Sequence, residues 1–317
     1  MSRERLIAIG QTMLILVLMS LGGVLTKLSL SSISPFTMTW TGLCVGLTAM
    51  WIYTFAIKRE RIPQMSRQVW GYLIAIGVCN FLIGGFAGIL ALNTMPVTTN
   101  SYLSNFIGFI TMGMSIFILR EHPYVFQLLG AVVAIAGLRI FFQEIPPVEQ
   151  LIGIAILLVG ITAIAFTNNM ARKLSIVTRN ELSNNIISTM ALTIGGVPLI
   201  IAGLIADIPA LQTISLQTAL IILYRGTIIT ALGLTVWNHI LRTLRSYEAS
   251  ILGATSIIWT AILAVPILGE HLALHQILGM ATMLLGIGLV QVRRGKLDFL
   301  FGGKPAALAE ETSLSET

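Results

Sequence analysis

The chain has 317 residues, of which 56% are hydrophobic and only 10% charged, and its mean hydropathy is +0.89. No water-soluble domain of this size hides that much apolar surface, so the composition excludes a soluble enzyme or binding module and makes lipid the solvent of the fold. The net charge of +6 does not mark a nucleic-acid binder, because the basic residues sit in short clusters between apolar runs and form no basic face or arm.

Apolar runs of about 20 residues, enough to cross a hydrocarbon core about 30 Å thick, recur in chain order. They lie at 6–29, 35–57, 70–92, 97–119, 124–142, 150–171, 182–206, 217–239, 247–268 and 272–292. The pattern predicts an all-α integral membrane protein with ten transmembrane helices. The first run follows Arg3 and Arg5 and ends at Ser20-Leu21-Gly22-Gly23, the layout of a secretory leader; with so many spans behind it, it reads as a retained first span. Most breaks are short and carry turn residues, among them Ser34-Pro35, Met95-Pro96, His122-Pro123 and Pro146-Pro147. Cys44 and Cys79 fall inside apolar runs without CxxC spacing or His partners, and read as small buried hydrophobes rather than metal or redox groups. Residues 294–317, with Glu310, Glu311 and a Ser/Thr-rich stretch, predict a polar, disordered tail.

Basic loops stay cytoplasmic. With the N-terminus inside, the inner segments hold sixteen of the 19 Lys and Arg residues, the outer segments hold only Lys27 and Arg139, and Arg225 lies within a span. This asymmetry predicts cytoplasmic termini and an even number of spans.

A shift of 149 residues superposes the two halves. Ile118-Leu119-Arg120-Glu121-His122 meets Ile267-Leu268-Gly269-Glu270-His271; Gln127, Leu129, Gly130 and Gly137 meet Gln276, Leu278, Gly279 and Gly286; Gly77, Gly84 and Leu92 meet Gly226, Gly233 and Leu241. The repeats are read as 1–145 and 146–293. Five helices per repeat is an odd number, so the second copy is expected upside down relative to the first, with substrate held between the halves near the midplane.

These residues resemble the drug/metabolite transporter superfamily, in its ten-helix EamA-type branch, over about residues 6–292. The resemblance rests on Leu268-Gly269-Glu270 followed by Gly279 and Gly286, on Trp237-Asn238, and on Pro35 opening the second span. It implies two EamA repeats around a central cavity and export of amino acids or other metabolites. Where that family often has Arg early in the second span and Pro midway through the fourth and ninth, this chain has Trp40-Thr41-Gly42, Gly108-Phe109 and Ile258-Trp259.

Arg225 is the sharpest candidate for substrate binding, because an Arg deep in a span costs roughly 2.5–3.5 kcal/mol on insertion scales and something must compensate it. It either faces the cavity and binds a carboxylate or phosphate, or snorkels to the headgroups. Tyr102 and Asn105 share a face of the fourth span, Thr255 and Trp259 share a face of the ninth, and Asn80 lies mid-span in the third, so these are further cavity candidates, with Trp40 and Tyr224 behind them. Each also has a plainer reading as an interhelical hydrogen bond or a belt aromatic. Gly84, Gly88 and Gly233 are candidates for close packing or for bending at a gate. No Asp or Glu lies in the middle of a predicted span, which argues against a buried carboxylate relay; Glu181 and Glu248 sit at helix starts, and His239 near a helix end.

The expected function is therefore secondary transport of a small metabolite, with export the favoured direction, across a cytoplasmic membrane by alternating access. The absence of a Walker A pattern argues against ATP hydrolysis, and no cofactor or metal is expected. The expected partners are a small-molecule substrate and the lipid bilayer, not nucleic acid, and a homodimer is left open. One alternative is an exchanger of nucleotide sugars or phosphate-bearing metabolites with the same fold. The other is a polytopic enzyme acting on lipids, for which His271 and His275 beside Glu270 offer helical metal-ligand spacing, although repetition of Glu-His at Glu121-His122 favours a turn motif.

Overall fold

A computed structural model describes residues 3–120, 123–179, 181–236 and 252–290, and side chains from residue 10 onward. Among these residues it is helical with no strand. The helices are α1 (Arg3–Ser29), α2 (Pro35–Ile57), α3 (Arg67–Thr94), α4 (Val97–Ile118), α5 (Val125–Phe141), α6 (Val148–Val177), α7 (Asn184–Ala206), α8 (Leu216–Val236), α9 (Leu252–Leu268) and α10 (Leu274–Val290). Seven of them are long and apolar enough to cross a membrane, and α5, α9 and α10 are shorter apolar helices. Trp237-Asn238, His239, Glu248, Glu121-His122 and the tail lie outside the described residues.

Side chains are distributed as lipid demands. Large apolar groups such as Ile205, Leu223, Ile262 and Leu285 face outward, while Thr37, Thr39, Thr41, Thr54, Thr189 and Thr260 are buried. Buried hydroxyls are paid for locally: Thr39 Oγ1 donates to the Pro35 carbonyl at 2.6 Å and Thr26 Oγ1 to the Gly22 carbonyl at 2.7 Å. A threonine that bonds its own helix presents only a methyl-sized surface to its neighbour. Cys44, expected buried, is exposed, and Cys79 is half-buried. A thiol on an outward face is at home against lipid and gains little from burial.

Helix starts follow their sequences. Ser34, Ser66, Ser183 and Ser215 accept backbone N–H bonds at the starts of α2, α3, α7 and α8. The repeated glutamines do the reciprocal job, Gln127 accepting from the Tyr124 N–H at 2.9 Å and Gln276 from Ala273 at 3.0 Å. Pro96 offers α4 no side-chain cap, and Glu270 supplies one: its carboxylate accepts from the N–H groups of Val97 (2.7 Å) and Thr98 (3.2 Å) and from Thr98 Oγ1 (2.7 Å). Helix α6 runs past the expected end at 171 to Val177, because Leu174 beyond Arg172-Lys173 is fully buried against Leu73 and Ile186. The His271–His275 spacing is not helical after all. Helix α10 starts at Leu274, so the two imidazoles do not share a turn, and no metal-binding cluster of His, Cys, Asp or Glu occurs among the described residues.

The described residues of α1–α4 and α6–α9 form one compact unit, and those of α5 and α10 form a second. Each combines parts of both sequence halves.

In the first unit, α8 crosses α2 where Gly226 meets Gly46, and α3 crosses α7 where Gly77 meets Gly195. A Cβ on Gly226 would lie 2.8 Å from the Gly46 nitrogen, and one on Gly77 would lie 2.5 Å from the Ala191 carbonyl oxygen. The 149-residue shift carries Gly46 to Gly195 and Gly77 to Gly226. The two crossings are thus copies of each other with the partners exchanged. Leu43 and Leu192, also equivalent, meet in one core cluster between α2 and α7. Helices α3 and α8 share a further irregularity, a π-helical stretch at Val78–Gly85 and at Arg225–Leu232. In α4 and α9 the regular helix breaks at Asn105-Phe106 and at Thr255, again equivalent positions, without the expected proline.

In the second unit, Gly130 lies against the Gly286 carbonyl and Gly137 against Gly279. Advancing along α5 means retreating along α10, so these equivalent helices pack antiparallel through equivalent glycines. Small residues are what let backbones approach this closely in lipid, where no hydrophobic force draws helices together.

Candidate functional site

Arg225 opens the π-helical stretch of α8. Its stem crosses Gly42 of α2, with Cδ 3.2 Å from where a Cβ on that glycine would stand, and its Nη1 donates to Thr26 Oγ1 of α1 at 3.3 Å. A larger residue at 42 would displace the guanidinium. Thr26 passes its own proton to the Gly22 carbonyl at 2.7 Å, so it can accept. No carboxylate pairs with Arg225 among the described residues. Asp207, which follows α7, is engaged elsewhere, its Oδ2 accepting from Thr37 Oγ1 at 2.7 Å and from Trp40 Nε1 at 2.8 Å. An uncompensated guanidinium on one weak hydroxyl contact retains most of its capacity to bind an anion.

The other sequence candidates separate. Tyr224 sits beside Arg225, its hydroxyl donating to the Leu18 carbonyl at 2.8 Å. Trp40 is buried over Gly203 and held by Asp207. Tyr102 is fully buried, edge-on to Phe106 at 5.9 Å. Asn105 Nδ2 donates to the Ser101 carbonyl at 2.9 Å and Thr255 Oγ1 to Leu252 at 2.6 Å, each bonding back to its own helix at the break. Trp259 is half-buried with an indole N–H that finds no acceptor. Asn80 lies half-buried in the π stretch of α3. Gly84 packs on Ile164 of α6, whereas Gly88 has open space around it and Gly233 meets only the Met19 tip and the Ile228 carbonyl. Arg225 and Tyr224 come together on α1; the remainder do not join them in one described contact.

A cavity of about 630 Å³ lies in the first unit among α1, α2, α7 and α8, where α2 and α8 approach their C-terminal ends and α7 begins. None of the sequence candidates lines it. Its polar wall contains Tyr53, Lys58, Glu60 and Asn185, and its apolar wall includes Leu14 and Leu18. Lys58 Nζ stands 5.8 Å above the Tyr53 ring, and Asn185 Nδ2 donates to Glu60 Oε1 at 2.7 Å. The signal for these residues was a lone acid inside the basic run Lys58-Arg59-Glu60-Arg61 and paired asparagines behind a Ser cap, features that reading spans alone passes over.

Residues 6–143 and 151–292 each match the EamA-like transporter family. The chain belongs to that family. An EamA-like protein is a multi-pass membrane transporter of the drug/metabolite transporter superfamily, and the two matched segments are its two repeats. A crystal structure described simply as that of a protein superposes with a TM-score of 0.59 at 14% identity, covering 91% of this EamA-like chain and 98% of its own, which establishes the shared fold. No curated protein sequence matches it.

Proposed function

We propose that this EamA-like protein is a secondary transporter with ten membrane spans in two inverted five-helix repeats, exporting small metabolites such as amino acids by alternating access. Both termini then lie in the cytoplasm, in a cytoplasmic membrane. The observation that carries the reading is Arg225, an unpaired guanidinium at the junction of α1, α2 and α8. Its repeat-equivalent, Ile76, sits in an apolar cluster with Ala191, the equivalent of Gly42. Packing at this position is satisfied without charge, so the charge has another use, and a carboxylate on the substrate is the natural partner.

Support for the inverted arrangement comes from the exchanged glycine crossings and from the antiparallel pairing of α5 with α10. Two copies related in this way make two conformations of similar energy, one the mirror of the other in membrane sense, which is what alternating access requires. The test is efflux of labelled amino acids from preloaded cells. Faster efflux than in cells lacking the protein is expected; identical rates across amino acids and other small carboxylates would overturn the reading. Reporter fusions check orientation separately: a fusion after Lys304 should read cytoplasmic and one at Ile145 external.

A further inference from the structure

We infer that the cavity among α1, α2, α7 and α8 is a second ligand site, one that holds a molecule bearing an ammonium and a carboxylate on an apolar body. This inference rests on the transport reading for its role as a cytoplasmic loading site, though not for its chemistry.

Two opposite charges line one space without meeting. Lys58 and Glu60 form no ion pair with each other or with any other described residue. Lys58 Nζ lies over the Tyr53 ring at 5.8 Å, a cation–π placement that leaves its three N–H donors free for an anion. Glu60 uses one oxygen to accept from Asn185 Nδ2 at 2.7 Å, and its Oε2 is buried with no partner at all. A buried carboxylate oxygen without a donor is a standing cost that a bound ammonium removes.

The backbone aims these groups deliberately. Arg59 adopts a left-handed conformation with φ 51°, which ends α2 and returns the Glu60 N–H to the Thr54 carbonyl at 3.1 Å. Lys58 N–H returns likewise to Tyr53, five residues back, at 2.9 Å. The side chains of Lys58 and Glu60 therefore leave a fixed turn. On the other wall, Asn185 stands in the first turn of α7, whose Ser183 cap bonds the Asn185 N–H at 3.2 Å, so the amide that holds Glu60 is itself fixed by a helix start. Leu14 and Leu18 supply the apolar surface. A volume of about 630 Å³ takes an amino acid of any size with water to spare.

The probe is leucine, with three companions of the same body: isoamylamine lacks the carboxylate, 4-methylpentanoate lacks the ammonium, and 4-methylpentanamide lacks both charges. Binding is read by equilibrium dialysis and thermal stabilisation on the full chain in lipid nanodiscs. Leucine should bind at least about tenfold tighter than any companion, since each lost charge-assisted bond is worth about that much. Glu60→Gln, which keeps the carbonyl that Asn185 bonds, should bring leucine down to the level of 4-methylpentanoate. Lys58→Gln should bring it down to that of isoamylamine. Leu14→Trp should block the cavity and weaken all four. Leucine binding that Glu60→Gln leaves unchanged, binding equal across the companions, or no leucine binding by the parent chain overturns the inference. Flux is measured separately in vesicles: Glu60-dependent binding with no flux sinks the transport reading alone, and flux with Glu60-independent binding sinks this site alone.

Discussion

The two glycine crossings of the first unit are built alike and finished differently. At α3 and α7, Gly77 and Gly195 bring the backbones together beside Ile76 and Ala191, and the surroundings are apolar: Leu73, Leu174, Ile186 and Met190. At α2 and α8, Gly46 and Gly226 make the same approach beside Arg225 and Gly42, and the surroundings include the Thr26 hydroxyl. The glycines answer a demand of geometry that both repeats share. The residue one position before answers a demand that only one repeat has. Comparison of the repeats thus sets Arg225 apart in a way that burial alone does not, since Trp40 and Tyr102 are buried and polar as well.

The largest effect should come from breaking the shared feature. A Cβ at Gly195 would overlap the Gly77 carbonyl, and both atoms belong to backbone that cannot rotate away. Gly195→Val and Gly226→Val should each cost about 3 kcal/mol or more, the upper range for overpacking. Thermal melting and size-exclusion profiles of purified protein check this. If one crossing tolerates Val and the other does not, the two are not equivalent, and the tolerant one is the place that opens.

Next comes the feature that differs. Arg225→Ile copies the other repeat and should leave a folded, monodisperse protein with carboxylate transport lost. Arg225→Lys should keep part of it, having charge without the bidentate fork, and Arg225→Gln should lose most. Rates at matched membrane expression decide. Transport by Arg225→Gln equal to the parent would mean that the guanidinium only fills space.

The architecture was legible because lipid imposes length: runs of apolar residues gave α1–α5 and α7 to within a few residues at both ends, and the 149-residue shift gave the repeat. Helix α6 escaped because Arg172-Lys173 looked like an end, whereas a helix ends where its packing ends, at Leu174 and beyond. Arg225 stood out as a charge where none should be. Lys58, Glu60 and Asn185 did not, since charges at a span boundary are ordinary and only the fold shows that two of them face one cavity. The π stretches of α3 and α8 leave no mark in composition at all.

A smaller effect concerns Glu270. Its carboxylate caps α4 across a gap of more than 170 residues, in place of the side chain that Pro96 lacks. Glu270→Ala should cost about 1–2 kcal/mol, the range for a lost helix cap, and leave transport intact at permissive temperature. A Glu270→Ala protein with unchanged melting but no transport would move this residue from the scaffold to the mechanism.

The smallest effect compares the ends of α4 and α9. Gly269 closes α9 at φ 67°, a left-handed conformation that glycine adopts freely. Its equivalent, Arg120, closes α4 at φ 55°, and Arg59 and Arg179 do the same after α2 and α6 at 51° and 50°. For a side chain with a Cβ this conformation costs roughly 1 kcal/mol, so three arginines hold positions where glycine would be easier. All three are exposed, and all three fall in segments that the count of basic residues assigns to the cytoplasm. On the proposed orientation an Arg there complements the carbonyl end of the helix and follows the preference of basic residues for the inner side, which offsets the strain. Arg120→Gly should therefore change melting by no more than about 0.5–1 kcal/mol, in the stabilising direction if relief of strain exceeds the glycine's added freedom in the unfolded chain. Gly269→Arg should destabilise by about 1 kcal/mol, because the strain arrives without the charge preference of the inner face. Thermal melts of the two variants in the same lipid give the comparison. A loss on Arg120→Gly larger than the loss on Gly269→Arg would show that the arginine holds its helix end by contact rather than by position.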